Sequence, residues 1–133
     1  MTEIFVQKKV MIVEDNPVNQ KVMQKLVKAF GHDSLLVEDG FQVFNLVKSY
    51  QPDLILMDIQ LIGISGIDIT QNLKNDEELR SIPVIAVTAS ATVEDREKIV
   101  RESGCDDYLA KPFMPKELAD IMSQFIPIKN VAF

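Results

Sequence analysis

The sequence has little of the chemistry that marks several common classes of protein. It contains one cysteine, Cys105, one histidine, His32, and no tryptophan. A single cysteine excludes an internal disulfide and fits a reducing compartment. We interpret Cys105 as a small core residue rather than a redox sensor. His32 follows Gly31 in a predicted turn, and we interpret it as a surface residue, which argues against a carrier of phosphohistidine.

Long apolar runs are also missing. The longest runs, residues 10–13 and 54–57, are far too short to span a bilayer. The first residues have no apolar stretch with the proportions of a signal peptide. The net charge of −6 argues against a general binder of nucleic acid or lipid headgroups, because both are anionic. We therefore expect a cytoplasmic monomer that binds neither nucleic acid nor membranes.

The length and the composition indicate one domain. Its 133 residues leave little room for a second, and 47% of them are apolar, which is enough for one sizeable core. We predict a single domain over residues 1–133, with its core at about 8–127 and without an output domain. Short apolar runs alternate with stretches of helical periodicity, and the runs predict strands at 9–13, 34–37, 53–57, 83–87 and 107–109.

End signals mark the helices between these strands. Asn16 followed by Pro17 predicts the start of the first helix, and Thr92 with Asp95 resembles a capping box. Pro115 opens the last helix, and two further helices are predicted at 40–50 and 66–75. Five strands alternating with five helices predict an α/β fold, a doubly wound five-stranded parallel sheet with right-handed crossovers. Such sheets bind ligands beyond the carboxyl ends of their strands.

Chemically active side chains stand at those carboxyl ends. Three carboxylates, one hydroxyl and one ammonium follow strands one, three, four and five: Glu14, Asp15, Asp58, Thr88 and Lys111. Two carboxylates about 4 Å apart repel by roughly 4 kcal/mol at an effective dielectric near 20. Lys111 compensates one charge, and Mg²⁺, with Mn²⁺ as an alternative, suits the remaining oxygens.

This set of groups predicts phosphoryl transfer. Mg²⁺ and Lys111 would neutralise the oxygens of the moving group, Asp58 would be the nucleophile that forms an acyl phosphate, and Thr88 would hydrogen-bond a phosphate oxygen. Taken singly, each residue has a plainer interpretation, such as a helix cap for Asp58, a loop hydroxyl for Thr88 or a surface amine for Lys111. The combination carries the prediction.

Four blocks resemble the signature motifs of response-regulator receiver domains, in the same order and spacing. They are Val13-Glu14-Asp15-Asn16, Leu56-Met57-Asp58-Ile59-Gln60, Val87-Thr88-Ala89 and Lys111-Pro112-Phe113. The resemblance covers about residues 8–127 and implies a flavodoxin-like, CheY-like fold with strand order 2-1-3-4-5. Residues 14–19 resemble receivers attached to hybrid histidine kinases. Residues 53–66 resemble stand-alone regulators of the DivK type, and we favour a stand-alone regulator.

The resemblance implies a role for each residue of the predicted site. Asp58 is the phosphoacceptor, Asp15 ligates Mg²⁺ directly, Glu14 ligates it through water, and the backbone carbonyl of Gln60 is a further ligand. Lys111, with Thr88, holds the phosphate, and the peptide bond that follows Lys111 is cis. One departure is visible, since the family often has proline four residues after the acceptor, where this chain has Ile62.

Two more roles concern switching and lifetime. Tyr108 matches the aromatic position that turns inward as Thr88 moves. Two side chains are predicted to flank the water that hydrolyses the acyl phosphate, namely Gln60, two residues past the acceptor, and Ser90, two past Thr88. The Gln60 amide is long enough to orient a water, whereas Ser90 leaves the path open.

The predicted function is a signalling switch and not an enzyme. The implied phosphodonor is a histidine kinase or a histidine phosphotransfer protein. The implied output is a contact between a downstream protein and the face made by residues 93–103, 106–109 and 115–125, which fold analogy alone supports.

Three alternative functions compete with this switch. A haloacid-dehalogenase phosphatase would need a second aspartate where Gln60 stands, and its aspartates would follow the first strand. A flavodoxin-like electron carrier would need a phosphate loop where Glu14 and Asp15 stand. A degenerate receiver used only for docking keeps the same fold, and phosphorylation by a small donor separates it from an active switch.

Overall fold

A computed structural model describes residues 4–89 and 92–129 of the chain. All five strands lie parallel in one sheet, in the order β2-β1-β3-β4-β5, as predicted. The elements are β1 (Lys9–Val13), α1 (Pro17–Ala29), β2 (Asp33–Val37), a 3-10 turn (Gly40–Gln42), α2 (Val43–Tyr50), β3 (Leu54–Asp58), α3 (Gly66–Asn75), β4 (Val84–Thr88), α4 (Val93–Ser103), β5 (Asp107–Ala110) and α5 (Pro115–Met122).

Strand β1 has its predicted bounds, and the other strands differ by one residue at one or both ends. The strands β3 and β4 run one residue further than predicted, so Asp58 and Thr88 are the last residues of their strands. Asp58 pairs with Val87 in the neighbouring strand, and Thr88 pairs with Ala110. The carboxylate and the hydroxyl therefore project from ordered sheet rather than from loops.

The core has one layer on each face of the sheet. Helices α2, α3 and α4 cover one face, where Ile69 and Leu73 pack against Met57, and helices α1 and α5 cover the other, where Met23 and Met122 are fully or almost fully buried. The strands of the middle of the sheet are buried on both faces, which explains their unbroken apolar runs.

Cys105 lies in the first of these layers and is 6% exposed, which confirms its prediction as a core residue. Burial raises the pKa of its thiol, and a protonated thiol reacts poorly with oxidants.

The helix ends form as the sequence predicts. The Asn16 side chain accepts hydrogen bonds from the amides of Val18 and Asn19, and Pro17 occupies the first helical position. The Thr92 hydroxyl accepts from the amide of Asp95. These caps satisfy amides that have no partner within the helix. No helix in residues 4–89 and 92–129 is long and apolar enough to cross a membrane.

Helix α3 begins in direct contact with the end of β3. Gly66 is its first residue, and a Cβ atom there would lie 2.3 Å from the carbonyl oxygen of Asp58 and 2.9 Å from the Cα of Ile59. Only glycine allows this approach, because any side chain would have to push the helix away from the strand. The close contact sets the path of the loop that follows Asp58.

The prediction that His32 lies on the surface is wrong, since its residue is 3% exposed. Its Nδ1 accepts a hydrogen bond from the amide of Lys8, and its Nε2 donates to the carbonyl oxygen of Pro127. The ring of Phe5 lies with its centroid 5.2 Å away. The segments before β1 and after α5 thus pack over the turn that follows α1. The residues of the turn itself do not predict this burial.

Replacing His32 with alanine is expected to destabilise the fold by about 2 kcal/mol, because an amide and a carbonyl lose their partner and a cavity opens. Urea denaturation at neutral pH measures this loss. Lys25→Ala, on the exposed side of α1, is the control and should change stability by less than about 0.5 kcal/mol. Equal stability of the two variants would contradict the proposed bridging role of His32.

Candidate functional site

The carboxyl ends of the strands bring three acidic side chains together. One oxygen from each of Glu14, Asp15 and Asp58 lies within 4.8 Å of the other two. Glu14 and Asp15 directly follow β1, and Asp58 ends β3, which pairs with β1 in the sheet. This pairing brings residues that are distant in the sequence to one edge of the sheet, as the sequence predicted.

Glu14 is completely buried, and its carboxylate is held from two sides. Its Oε1 lies 2.9 Å from the Nζ of Lys111, and its Oε2 accepts a hydrogen bond from the amide of Asp15 at 3.1 Å. Its backbone carbonyl accepts a hydrogen bond from the Gln20 side chain at 2.9 Å. A buried carboxylate costs free energy unless it is paired in this way.

Asp58 is 4% exposed and is also close to the ammonium group. The Nζ of Lys111 lies 3.4 Å from Asp58 Oδ1, and the same oxygen accepts a hydrogen bond from the amide of Gln60 at 3.0 Å. The Lys111 ammonium therefore stands between two buried carboxylates. The peptide bond between Lys111 and Pro112 is cis, as the family resemblance implied.

The two buried carboxyl groups have opposite pKa shifts. Burial, and then a hydrogen bond with Glu14, raise the pKa of Asp58 to about 7 against the opposing effect of Lys111. Burial also opposes ionisation of Glu14, but hydrogen bonds with Asp58 and Lys111 lower its pKa. In the metal-free protein, Asp58 is therefore the more readily protonated of the two groups.

Asp15 is half-buried at the rim of the cluster, where its Oδ2 accepts a hydrogen bond from the amide of Ile62 at 2.8 Å. Ile62 stands where the family often has proline, which has no amide hydrogen to donate. The departure from the family pattern therefore gives Asp15 a backbone partner. The side chain of Ile62 is 87% exposed.

The acidic cluster fits a hard divalent cation. Three carboxylates lie together and one ammonium contacts two of them, and oxygen donors of this kind are the ligands that Mg²⁺ takes. Burial and then the hydrogen bond with Glu14 raise the pKa of Asp58, and a bound cation would favour its ionised form. The ligand role predicted for the Gln60 carbonyl stays a prediction.

Thr88 is fully buried at the end of β4, and its hydroxyl is bonded to the Gln60 side chain. Gln60 Nε2 donates to Thr88 Oγ1 at 3.0 Å, and Gln60 Oε1 accepts from the amide of Ala89 at 3.2 Å. The sequence predicted that Thr88 belongs to the site. It did not predict that the Gln60 amide binds the end of β4.

Tyr108 is half-buried and packs against the same core layer as Ala86, its partner in β4. The guanidinium of Arg96 lies 5.6 Å from the centre of its ring. Thr88 is two residues beyond Ala86 and thus projects to the same face of the sheet. The coupling predicted for Thr88 and Tyr108 stays a prediction. Ser90, the second predicted lifetime residue, lies outside the described residues.

Gln20 is the supporting residue that the sequence interpretation missed. It is 8% exposed and lies on the buried side of α1 with Met23 and Val27. Its three-residue spacing from Met23 was the available signal, because a polar side chain on the apolar face of a helix needs a buried partner. That partner is the Glu14 carbonyl.

Comparisons with known proteins agree on one family. Residues 10–123 match the model of the response regulator receiver domain. The polar-differentiation response regulator DivK of Brucella ovis is 48% identical over 117 residues, which cover 87% of this chain and 94% of that protein. DivK of Brucella anthropi is 47% identical over the same shares.

Solved structures give the same result. The receiver domain of sensor histidine kinase PA1611 from Pseudomonas aeruginosa PAO1, with a magnesium ion coordinated in its active site cleft, is 38% identical. It superimposes with a TM-score of 0.82 over 90% of this chain and 98% of that one. Chemotaxis protein CheY4 of Vibrio cholerae has a TM-score of 0.83 over 91% and 100% of the two chains at 17% identity, which shows the shared fold.

The raised pKa of Asp58 predicts a pH-dependent stability in the absence of metal. Its folded-state pKa of about 7 lies above the ordinary value of 3.8, so this contribution to stability is fully present below about pH 4, falls as pH rises from there through about 7, and is constant above that. Asp58→Asn should remove this fall, which is worth up to about 4 kcal/mol for one carboxyl group. Urea denaturation in a chelator between pH 4 and 8.5 measures it. Asp120→Asn, exposed on α5, should keep the parental slope, and a parental slope in Asp58→Asn would contradict the prediction.

Proposed function

The chain belongs to the family of response regulator receiver domains, and we propose that it is a phosphorylation-controlled switch whose phosphate acceptor is Asp58. One observation carries this proposal. Asp58 ends β3 as a buried carboxylate that has an ammonium 3.4 Å away and two further carboxylates beside it. A nucleophile, a cation and a metal-binding set thus meet at one point.

The proposed reaction moves a phosphoryl group from a phosphohistidine to Asp58. A carboxylate oxygen of Asp58 forms a bond to phosphorus while the P–N bond breaks, and the electron pair stays on the imidazole of the donor. Lys111 neutralises charge on the transferred oxygens from its place beside Asp58 Oδ1. The donor is a histidine kinase or a histidine phosphotransfer protein, which places the reaction in the cytoplasm.

A divalent cation completes the charge balance of the site. Asp15, Asp58, the Gln60 carbonyl and, through water, Glu14 would hold Mg²⁺, or Mn²⁺ in its place. When bound, the ion supplies positive charge to the phosphoryl oxygens. The magnesium ion in the PA1611 receiver domain supports this assignment.

Phosphorylation changes the output through Thr88 and Tyr108. The Thr88 hydroxyl bonds a phosphate oxygen, and the space that Thr88 vacates admits the ring of Tyr108. Both states exist without phosphate, and the modification shifts their populations. Tyr108 lies on β5, between α4 and α5, so the change reaches the face made by residues 93–103, 106–109 and 115–125. A downstream protein binds this face, and the chain acts as a monomer.

The lifetime of the acyl phosphate depends on water. Gln60 and Ser90 flank the approach path, and neither is a general base with a pKa near neutrality. Hydrolysis is therefore of moderate speed. This role requires the Gln60 amide to leave the partners that it has in the unphosphorylated protein.

Acetyl phosphate with Mg²⁺ is expected to add one phosphoryl group, on Asp58. Asp58→Asn should abolish the gain in mass, because the amide is no nucleophile at this site. Asp53→Asn, directly before β3 and thus at the opposite end of that strand from Asp58, should keep the gain in mass. Intact-mass spectrometry of the three proteins measures the outcome, and a mass gain in Asp58→Asn would refute the assignment. An unmodified parent would instead favour a degenerate receiver used only for docking.

Mg²⁺ is expected to raise the melting temperature through linkage, since it binds the folded acidic cluster. Asp15→Ala should weaken Mg²⁺ binding and, by removing like charge, raise the stability of the metal-free protein. Differential scanning calorimetry from zero to millimolar Mg²⁺ measures both effects. Asp68→Ala, exposed on α3, is the control that should respond as the parent does. A parental Mg²⁺ response in Asp15→Ala would exclude this residue as a ligand.

A further inference from the structure

The side chain of Gln60 joins the loop after β3 to the end of β4 through two hydrogen bonds. Its Nε2 donates to the Thr88 hydroxyl at 3.0 Å, and its Oε1 accepts from the amide of Ala89 at 3.2 Å. The amide group thus bonds the side chain of one residue and the backbone of the next. This two-point contact fixes the position of Thr88 more firmly than one bond would.

The same residue is also tied to the phosphate acceptor. The backbone amide of Gln60 donates to Asp58 Oδ1 at 3.0 Å. Gln60 therefore contacts Asp58 through its main chain and Thr88 through its side chain. A change in the charge or the position of the Asp58 carboxylate therefore acts directly on Gln60, the residue that holds Thr88.

We propose that the Gln60 side chain is a latch that holds Thr88 in its resting position and opposes the movement of Thr88 toward a phosphoryl group on Asp58. The inference rests on the proposed function, since a phosphoryl group on Asp58 is what draws Thr88 away. The Thr88 hydroxyl accepts its hydrogen bond from Gln60 and would donate its own hydrogen to a phosphate oxygen, so the contact with Gln60 is lost because Thr88 moves. The amide is then released, and only in that state is it free to orient the water that hydrolyses the acyl phosphate.

The latch and the role in hydrolysis affect different measurements. Orienting a water changes the rate of dephosphorylation and nothing that precedes it. A latch changes the equilibrium between the resting and active states, so it also alters the affinity for a phosphoryl mimic that is not hydrolysed. Beryllofluoride with Mg²⁺ is such a probe, because it binds the acceptor carboxylate non-covalently in the place of the phosphoryl group.

Gln60→Met keeps the length of the side chain and removes both hydrogen bonds. We expect this variant to bind beryllofluoride about fivefold more tightly than the parent. The expected factor corresponds to the loss of the one bond that holds the Thr88 hydroxyl, about 1 kcal/mol. Gln71→Met is the matched control, because the Gln71 amide donates to the Glu102 carbonyl between α3 and α4 and does not contact Thr88. It should bind within about twofold of the parent.

The double variant tests whether the effect passes through Thr88. In a Thr88→Val background the hydroxyl is absent, so adding Gln60→Met should change the affinity by less than about twofold. A direct readout is the Thr88 methyl resonance without phosphate or mimic. In Gln60→Met it should move toward its position in the beryllofluoride-bound parent.

The outcomes separate the latch from the proposed function. A parent chain that fails to bind beryllofluoride in Mg²⁺ would overturn the proposed function itself. A parent that binds, with Gln60→Met binding equally and its Thr88 resonance unmoved, would overturn the latch alone. A fivefold effect that persists in the Thr88→Val background would also overturn it, because Gln60 would then act without Thr88.

Discussion

The ammonium of Lys111 between two buried carboxylates is the interaction on which the rest of the site depends. It lies 2.9 Å from Glu14 Oε1 and 3.4 Å from Asp58 Oδ1, and both acids are withdrawn from water. One cation cannot balance both buried acids and Asp15 beside them. In the metal-free protein, burial and then the hydrogen bond with Glu14 raise the pKa of Asp58 to about 7. A divalent ion would favour the ionised form of Asp58, which is the nucleophile.

The scaffold keeps this unfavourable cluster in place. Asp58 and Thr88 end ordered strands, so their positions are set by the backbone pairing of the sheet. Gly66 allows α3 to touch the Asp58 backbone, and Gln20 holds the Glu14 carbonyl from α1. The burial of both faces of the parallel sheet stabilises the fold, and this gain offsets the electrostatic repulsion among the carboxylates at the carboxyl ends of the strands.

Switching in such a site needs only small differences in free energy. The hydrogen bond between Gln60 and Thr88 is of the strength that one new bond to a phosphate oxygen can replace. A hydrogen bond donated to a charged acceptor is the stronger one, so phosphorylation favours the movement of Thr88 away from Gln60. A latch of about 1 kcal/mol keeps the resting state populated without preventing the response.

The sequence by itself determined the fold class, the strand order through the family resemblance, and the residues that meet at the carboxyl ends. Apolar runs, helix caps and the positions of Glu14, Asp58 and Lys111 are local signals, and each reports on its own segment. The tertiary structure alone decided the burial of His32, which depends on segments distant in the chain. It also decided the partners of the Gln60 amide and the opposite pKa shifts of Glu14 and Asp58. These properties depend on distances between separate elements, which no periodicity along one element encodes.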